Sequence, residues 1–126
     1  MMKRTPRQPV GMIQAEIIEG VSRHLVCSGQ TSIGPDGTVQ HPNEIGPQIT
    51  DALDNLEEVL KGAGMTLSNI VRLTIYTTDV DGMLENWDAM ASRLKAADVA
   101  PPQTLIGVAR LAFPELKVEL EATAAD

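Results

Sequence analysis

Two glutamates near the C-terminus have the residue type and the spacing for acid–base chemistry. Glu119 and Glu121 lie two positions apart in the segment KVELE, where every second residue is apolar. In a β-strand they share one face, opposite Val118 and Leu120. A carboxylate at the border of a cleft can accept a proton from water if its surroundings tune its pKa. The same pattern fits an ordinary solvated face, so spacing alone leaves both interpretations open.

Other kinds of reactive centre have little support in the sequence. The two histidines, His24 and His41, are far apart, and Cys27 is the single cysteine. Metal sites need clustered ligands, so we expect no metal, and nothing indicates an organic cofactor. A Ser-His-Asp or Cys-His hydrolase lacks its usual motif. His24 and Cys27 are at an odd offset in one predicted strand, so their side chains should point to opposite faces.

Alternating strand and helix patterns give the elements that must position these residues. Strands are expected at residues 13–18, 24–28, 70–77, 104–108 and 117–122, with the first two paired. In the third strand, Val71, Leu73 and Ile75 should face one way. The order β-β-α-β-α-β-β predicts a single α+β domain over residues 1–126, with two helices packed on one face of a mixed sheet.

Apolar residues at helical spacing predict the two helices. The first should begin near Gly46-Pro47, because proline suits the first turn, and should end at Gly62 and Gly64. The second should follow an N-cap at Asp81. Its expected buried stripe is Met83, Trp87, Met90 and Leu94.

The composition of the chain limits the kinds of molecule that it can bind. Of the 126 residues, 43% are hydrophobic but only 2% are aromatic, so the core must be aliphatic and small. A small core makes burial against sister subunits plausible. A net charge of −7 without a basic stripe disfavours nucleic acid. The basic start is not followed by an apolar run, so no membrane anchor is expected. The single cysteine fits a reducing, cytoplasmic location.

The last quarter of the chain carries a family resemblance. Residues 101–124 read PPQTLIGVARLAFPELKVELEATA, and Ser28-Gly29-Gln30 lies upstream. The sequence resembles the reactive-intermediate deaminase (RidA, or YjgF) family of small trimeric enzymes that hydrolyse enamines and imines of 2-keto acids. The matching positions are Pro101, Val108, Leu111, Pro114 and the pattern at 117–121. The resemblance implies a RidA/chorismate-mutase-like fold, a homotrimer with a barrel-like core, and clefts between subunits.

The resemblance also implies site residues. Glu119 corresponds to the glutamate that positions or activates water. The implied substrate-binding residues are Ser28, Gly29, Asn86, Gln103 and Leu105, the last through its backbone carbonyl. The family's N-terminal tyrosine has no match in the segment Gln14-Ala15-Glu16.

Gln103 stands where the family has the arginine that binds the substrate carboxylate. A guanidinium binds a carboxylate through two charged hydrogen bonds, and its loss costs about 2–5 kcal/mol. Arg110, seven positions further on, is expected to form a structural ion pair, and Arg23 or Arg72 of a neighbouring subunit remains a possible cation. The sequence therefore favours a metabolite-binding family member that is a poor 2-imino-acid deaminase. Two alternatives are an enamine/imine deaminase acting on 2-aminoacrylate-type intermediates and a non-catalytic ligand-sensing trimer.

Overall fold

A mixed four-stranded sheet with helices on one face forms the body of the molecule. The computed structural model describes residues 1–7 and 13–126. Its elements in chain order are β1 (Lys3–Arg7), β2 (Ala15–Glu19), β3 (His24–Val26), α1 (Ile45–Gly62), β4 (Ile70–Thr77), α2 (Val80–Glu85), α3 (Asp88–Ala96), β5 (Gln103–Gly107) and β6 (Val118–Ala125). The strand order of the main sheet is β3-β6-β4-β5, with β4 and β5 parallel and the other pairs antiparallel. The predicted α+β architecture is confirmed.

The long helix α1 supplies one side of the core, as its sequence periodicity predicts. Ile49, Leu53, Leu56 and Leu60 are fully buried. Burying each of these side chains contributes about 1.5–3 kcal/mol, which holds α1 against the sheet. The helix ends at Gly62, and Gly64 follows with a φ of +74°, a conformation that glycine adopts without strain. No helix in the described ranges combines the length and apolarity needed to cross a membrane.

The N-terminal strands differ from the prediction. Strand β2 pairs with β1, which the sequence pattern did not indicate, and β3 pairs with β6 instead of β2. Arg4 fastens this hairpin to the body: its guanidinium donates to Glu16 Oε1 at 2.6 and 2.9 Å, to the Ser68 carbonyl at 2.7 Å and to the Ile70 carbonyl at 2.6 Å. The predicted pairing of 13–18 with 24–28 was wrong because β2 pairs with β1, and Arg4 holds this hairpin to carbonyls more than sixty positions away, which a local pattern does not reveal.

The second predicted helix is divided into α2 and α3. Its N-cap is Asp79, whose Oδ1 accepts the Gly82 N–H at 3.0 Å, and not Asp81. The division falls at Asn86, whose side-chain amide donates to the Gly82 carbonyl at 2.8 Å. A side chain that occupies a helix carbonyl competes with the backbone ladder and favours an end at that point. The predicted apolar stripe nevertheless packs into the core, with Trp87 partly buried.

A β-bulge in β4 changes which side chains face the core. Ile70 pairs with Ala124 and Arg72 with Thr123, so Val71 is an extra residue without a partner. Ile70 therefore joins Leu73 and Ile75 in the buried cluster in place of Val71, contrary to the simple alternation expected from the sequence. Strand β5 begins one residue earlier than predicted, and β6 extends to Ala125.

Candidate functional site

Strand β6 places the two glutamates on the open face of the sheet. Val118 and Leu120 are fully buried against the helices, so Glu119 and Glu121 point to the opposite side. Glu119 lies across from Tyr76 of β4 in the antiparallel ladder. Pairing with β4 on one side, and the bridge between Leu120 and Gln30 on the other, fix the backbone around Glu119.

Gly29 and the side chain of Glu119 are in close contact. A Cβ atom added to Gly29 would lie 2.4 Å from Glu119 Oε2 and 2.6 Å from Cδ. The φ of Gly29 is not in the left-handed region, so glycine here leaves space for the Glu119 side chain and is not needed for backbone conformation. Ser28 is exposed beside it, and its carbonyl accepts a hydrogen bond from Gln30 Nε2 at 3.1 Å.

The surroundings of Glu119 favour its protonated form. Partial burial removes water from the carboxylate and raises its pKa, and the negative charge of Glu121 raises it further. Glu121 Oε1 accepts a hydrogen bond from the Tyr76 hydroxyl at 3.1 Å, and this bond raises the pKa of Tyr76. The Glu119 carboxylate accepts no hydrogen bond from residues 1–7 and 13–126. Its oxygens are therefore available to a water molecule or a ligand, as a general base requires.

Gln103 lies on the other side of the sheet. It is in register with Leu73 of the parallel strand β4, and Leu73 is fully buried on the helix side. Gln103 lines a cavity of about 550 Å³ between the β1–β2 hairpin, α3 and the start of β5. The charged residues of this cavity are Arg4, Glu16, Lys95 and Asp98. Leu105, two positions further along β5, packs its side chain against the core.

Asn86 is built into the helix junction. Besides the bond to Gly82, its Oδ1 lies 3.0 Å from the position that a Cβ on Gly46 would occupy. These contacts lie on the helix side of the sheet, away from the face that carries Glu119. The structure thus brings Ser28, Gly29 and Glu119 together, places Gln103 and Leu105 along the edge strand, and leaves Asn86 apart from both. The functional roles of these residues remain predictions.

The remaining cations have defined surroundings. Arg23 pairs with Asp126, and Arg72 donates to Thr104 Oγ1 at 2.6 Å on the Glu119 face. The ion pair expected for Arg110 does not form within the described part of the chain; its guanidinium donates to the Leu111 and Ala112 carbonyls at 3.3 and 3.4 Å.

The sequence did not connect Tyr76 with Glu121 or Lys95 with Gln103. Tyr76 carries one usable signal, since it alternates with core residues in a predicted strand. Lys95 carries none, because an exposed lysine in the last turn of a helix is ordinary.

His41 and Cys27 have surroundings that explain them structurally. His41 Nδ1 lies 2.8 Å from Asp51 Oδ2, which also accepts the Ser32 hydroxyl at 2.6 Å. Cys27 is buried, and burial raises the pKa of its thiol, so it is a poor nucleophile. Among the residues described, no three potential ligands cluster in a way that would hold a metal ion.

Comparison with known proteins finds relatives over most of the chain. The sequence profile of the family described as Endoribonuclease L-PSP matches residues 14–126. A RutC family protein of Aquifex aeolicus is 30% identical over 121 residues, covering 96% of this chain and 95% of the relative. The 2-iminobutanoate/2-iminopropanoate deaminase of Escherichia coli is 27% identical over 103 residues, covering 79% of this chain and 77% of the enzyme.

Solved structures show the same fold. A Rid family protein of Yersinia pestis, YyfB, superposes with a TM-score of 0.81 at 29% identity and 98% coverage of both chains. The profile match, the Aquifex relative and the Yersinia structure each span most of the sequence. The chain therefore belongs to the RidA/YjgF family.

Proposed function

We propose that this protein is a homotrimer whose intersubunit clefts bind a small metabolite, and that it hydrolyses 2-imino acids poorly. The observation that carries the proposal is the placement of Glu119 against Gly29, with a raised pKa and free oxygens. Such a carboxylate can accept a proton from a bound water near neutral pH.

The strand geometry supports a site formed between subunits. Gln103 is in register with Leu73, whereas Glu119 is in register with Tyr76. Their backbones are separated by about 10 Å along the strands and about 10 Å across two strand spacings, and their side chains leave opposite faces of the sheet. One ligand can therefore contact both residues only if they come from different copies of the chain.

The residue at position 103 argues against efficient deamination. A glutamine amide offers neutral donors, so a substrate carboxylate entering the cleft near Glu119 would lose hydration without a bidentate cation. The loss corresponds to roughly 30- to 5,000-fold in binding, from about 2–5 kcal/mol. The name endoribonuclease, printed for the family profile, fits this chain poorly, because a net charge of −7 repels phosphate backbones.

A second candidate is weak enamine/imine deaminase activity. Two observations favour it: the relatives that are named deaminases, and the presence of Lys95 in the same cavity as Gln103. An ammonium replaces the charge of the missing arginine without its planar, two-point geometry.

The test is an assay of 2-iminopropanoate hydrolysis by four purified proteins. We expect little turnover by the wild type, a gain in Gln103→Arg, and loss of that gain when Glu119→Gln is added. Gln40→Arg is the matched control, because it adds the same charge in an exposed loop outside the cavity. Wild-type turnover equal to that of the Escherichia coli deaminase would overturn the proposal.

A further inference from the structure

Tyr76 is placed to reach both glutamates of the open face. In the ladder it lies directly opposite Glu119, while Thr74 lies opposite Glu121. Directly opposed side chains in an antiparallel pair start about 5 Å apart, and diagonal ones start about 7–8 Å apart. The Tyr76 ring therefore begins beside Glu119, and its hydroxyl reaches diagonally to Glu121 Oε1 at 3.1 Å. The hydroxyl bonds the more distant carboxylate and leaves the nearer one free of this bond.

We infer that Tyr76 is a positioning residue for Glu119: its hydroxyl holds the Glu121 carboxylate close to Glu119, and this sets the pH range in which Glu119 can accept a proton. Tyr76 acts through Glu121 and does not need to touch the ligand. The inference rests on the proposed function, which makes Glu119 the acid–base group, and adds the residue that tunes it.

Glu121 needs an anchor to stay near Glu119. The two residues are two positions apart on one strand, so their backbones are about 7 Å apart and their negative charges repel. Glu121 is exposed, and a free glutamate side chain has several rotamers that carry its charge into water. The hydrogen bond from Tyr76 opposes this movement and keeps the charge close to the ladder between β4 and β6.

The held charge acts on Glu119. Partial burial is the larger cause of the raised pKa of the Glu119 carboxyl, and the charge of Glu121 is the second. The bond to Glu121 also raises the pKa of Tyr76, so the hydroxyl keeps its proton and remains a donor at neutral pH. Tyr76 therefore contributes to the raised pKa of Glu119 by fixing the position of its charged neighbour.

Three other charged or titratable groups lie on the segments around the two glutamates: Arg72 of β4, Lys117 just before β6, and His24 of β3. None of these three donates a hydrogen bond to Glu121. Arg72 donates to Thr104 Oγ1 on β5, which lies on the opposite side of β4 from β6. Strand β5 reads QTLIG and has no titratable side chain. Among the described residues, the bond from Tyr76 is thus the contact that governs the charge of Glu121.

The experiment is an NMR titration of the Glu119 and Glu121 carboxyls in the assembled protein, with isotope-labelled glutamate. Tyr76→Phe removes the hydroxyl and keeps the ring. We expect the Glu119 pKa to fall, with an increase of about threefold in its acid dissociation constant, the effect of two charges about 7 Å apart in water. Thr123→Val is the matched control, because it removes a hydroxyl from the same face of β6 and should leave the Glu119 pKa unchanged.

A double-mutant cycle shows whether Tyr76 acts through Glu121. Glu121→Gln should also lower the Glu119 pKa, and Tyr76→Phe should add nothing in that background. Added salt should lower the Glu119 pKa of the wild type more than that of Tyr76→Phe, because it screens the repulsion between the carboxylates. An unchanged Glu119 pKa in Tyr76→Phe, or an undiminished effect of Tyr76→Phe in the Glu121→Gln background, would overturn the inference.

The titration needs no substrate, so the inference and the proposed function can fail independently. In the Gln103→Arg protein, Tyr76→Phe should also move the acid limb of the pH–rate profile to lower pH, because Glu119 would lose its proton at lower pH. Absence of turnover in Gln103→Arg would count against the proposed function, and the titration would still decide the role of Tyr76.

Discussion

Replacing Gly29 by alanine tests the contact on which the Glu119 site depends. The new methyl group would lie 2.4 Å from Oε2, 2.6 Å from Cδ and 2.9 Å from Cγ of Glu119, all too close for real atoms. The backbone conformation of Gly29 suits any residue, so the methyl group can stay where it is built. Glu119 must therefore rotate away from the loop.

The expected effect on stability is small and the effect on the site is large. The displaced atoms are the end of a flexible, partly exposed side chain, so the free energy of unfolding should fall by only about 1 kcal/mol, the cost of a strained rotamer. The rotated carboxylate becomes more hydrated, so its raised pKa should fall toward the ordinary glutamate value. A shift of about 1 Å in a reacting group costs on the order of 100-fold in turnover.

A double-mutant cycle measures the contact directly. Wild type, Gly29→Ala, Glu119→Ala and the double variant would be unfolded with denaturant, and the Glu119 carboxyl would be titrated by NMR in the first two. Because Glu119→Ala removes the obstructing atoms, Gly29→Ala should cost nothing in that background, giving a coupling of about 1 kcal/mol. An undiminished penalty in the Glu119→Ala background, or an unchanged Glu119 pKa in Gly29→Ala, would refute the reasoning.

Three further outcomes are expected. In denaturant unfolding, Glu119→Gln should be more stable than the wild type at about pH 8 and equal to it at about pH 4. The raised pKa of the Glu119 carboxyl favours the folded wild type at low pH, and this advantage is lost as the pH rises through the folded-state pKa. Gln48→Leu should lower the free energy of unfolding by about 3 kcal/mol in a thermal or denaturant melt. The native Gln48 side chain is fully buried and bonds the His41 carbonyl, the Glu115 carbonyl and the Lys117 N–H. An unchanged melt would show that these bonds do not stabilise the fold. Light scattering should give about three times 13.5 kDa, and a stable monomer would remove the intersubunit cleft.

The parts of the fold that the sequence predicted are those governed by local periodicity. The apolar residues of α1 and the alternation of β6 set which faces are buried, and the structure confirms both. Strand β1 reads KRTPR and has no apolar alternation; it pairs with β2, and Arg4 joins this hairpin to an acceptor far away in sequence. The bulge at Val71 arises from the match between β4 and β6, which neither segment reveals alone.

The candidate site also has one part that local sequence predicts and one part that it does not. The shared face of Glu119 and Glu121 follows from their spacing, and it is present in the structure. The contact between Gly29 and Glu119 joins residues ninety positions apart in the chain, so no local sequence pattern predicts it. Lys95 belongs to the Gln103 cavity only because α3 packs beside the start of β5.

The order of the strands places Glu119 on an inner strand and Gln103 on an edge strand, so their backbones are held to different degrees. Glu119 stands on β6 opposite Tyr76 of β4, and the next residue, Leu120, is bridged to Gln30 on the other side, so a movement of this backbone disturbs hydrogen bonds on both sides. Gln103 opens β5, an edge strand held from one side only. A substitution at Gln103 should therefore leave the Glu119 carboxylate undisturbed. Such a scaffold lets residues of the edge strand vary over evolutionary time while the central carboxylate keeps its place.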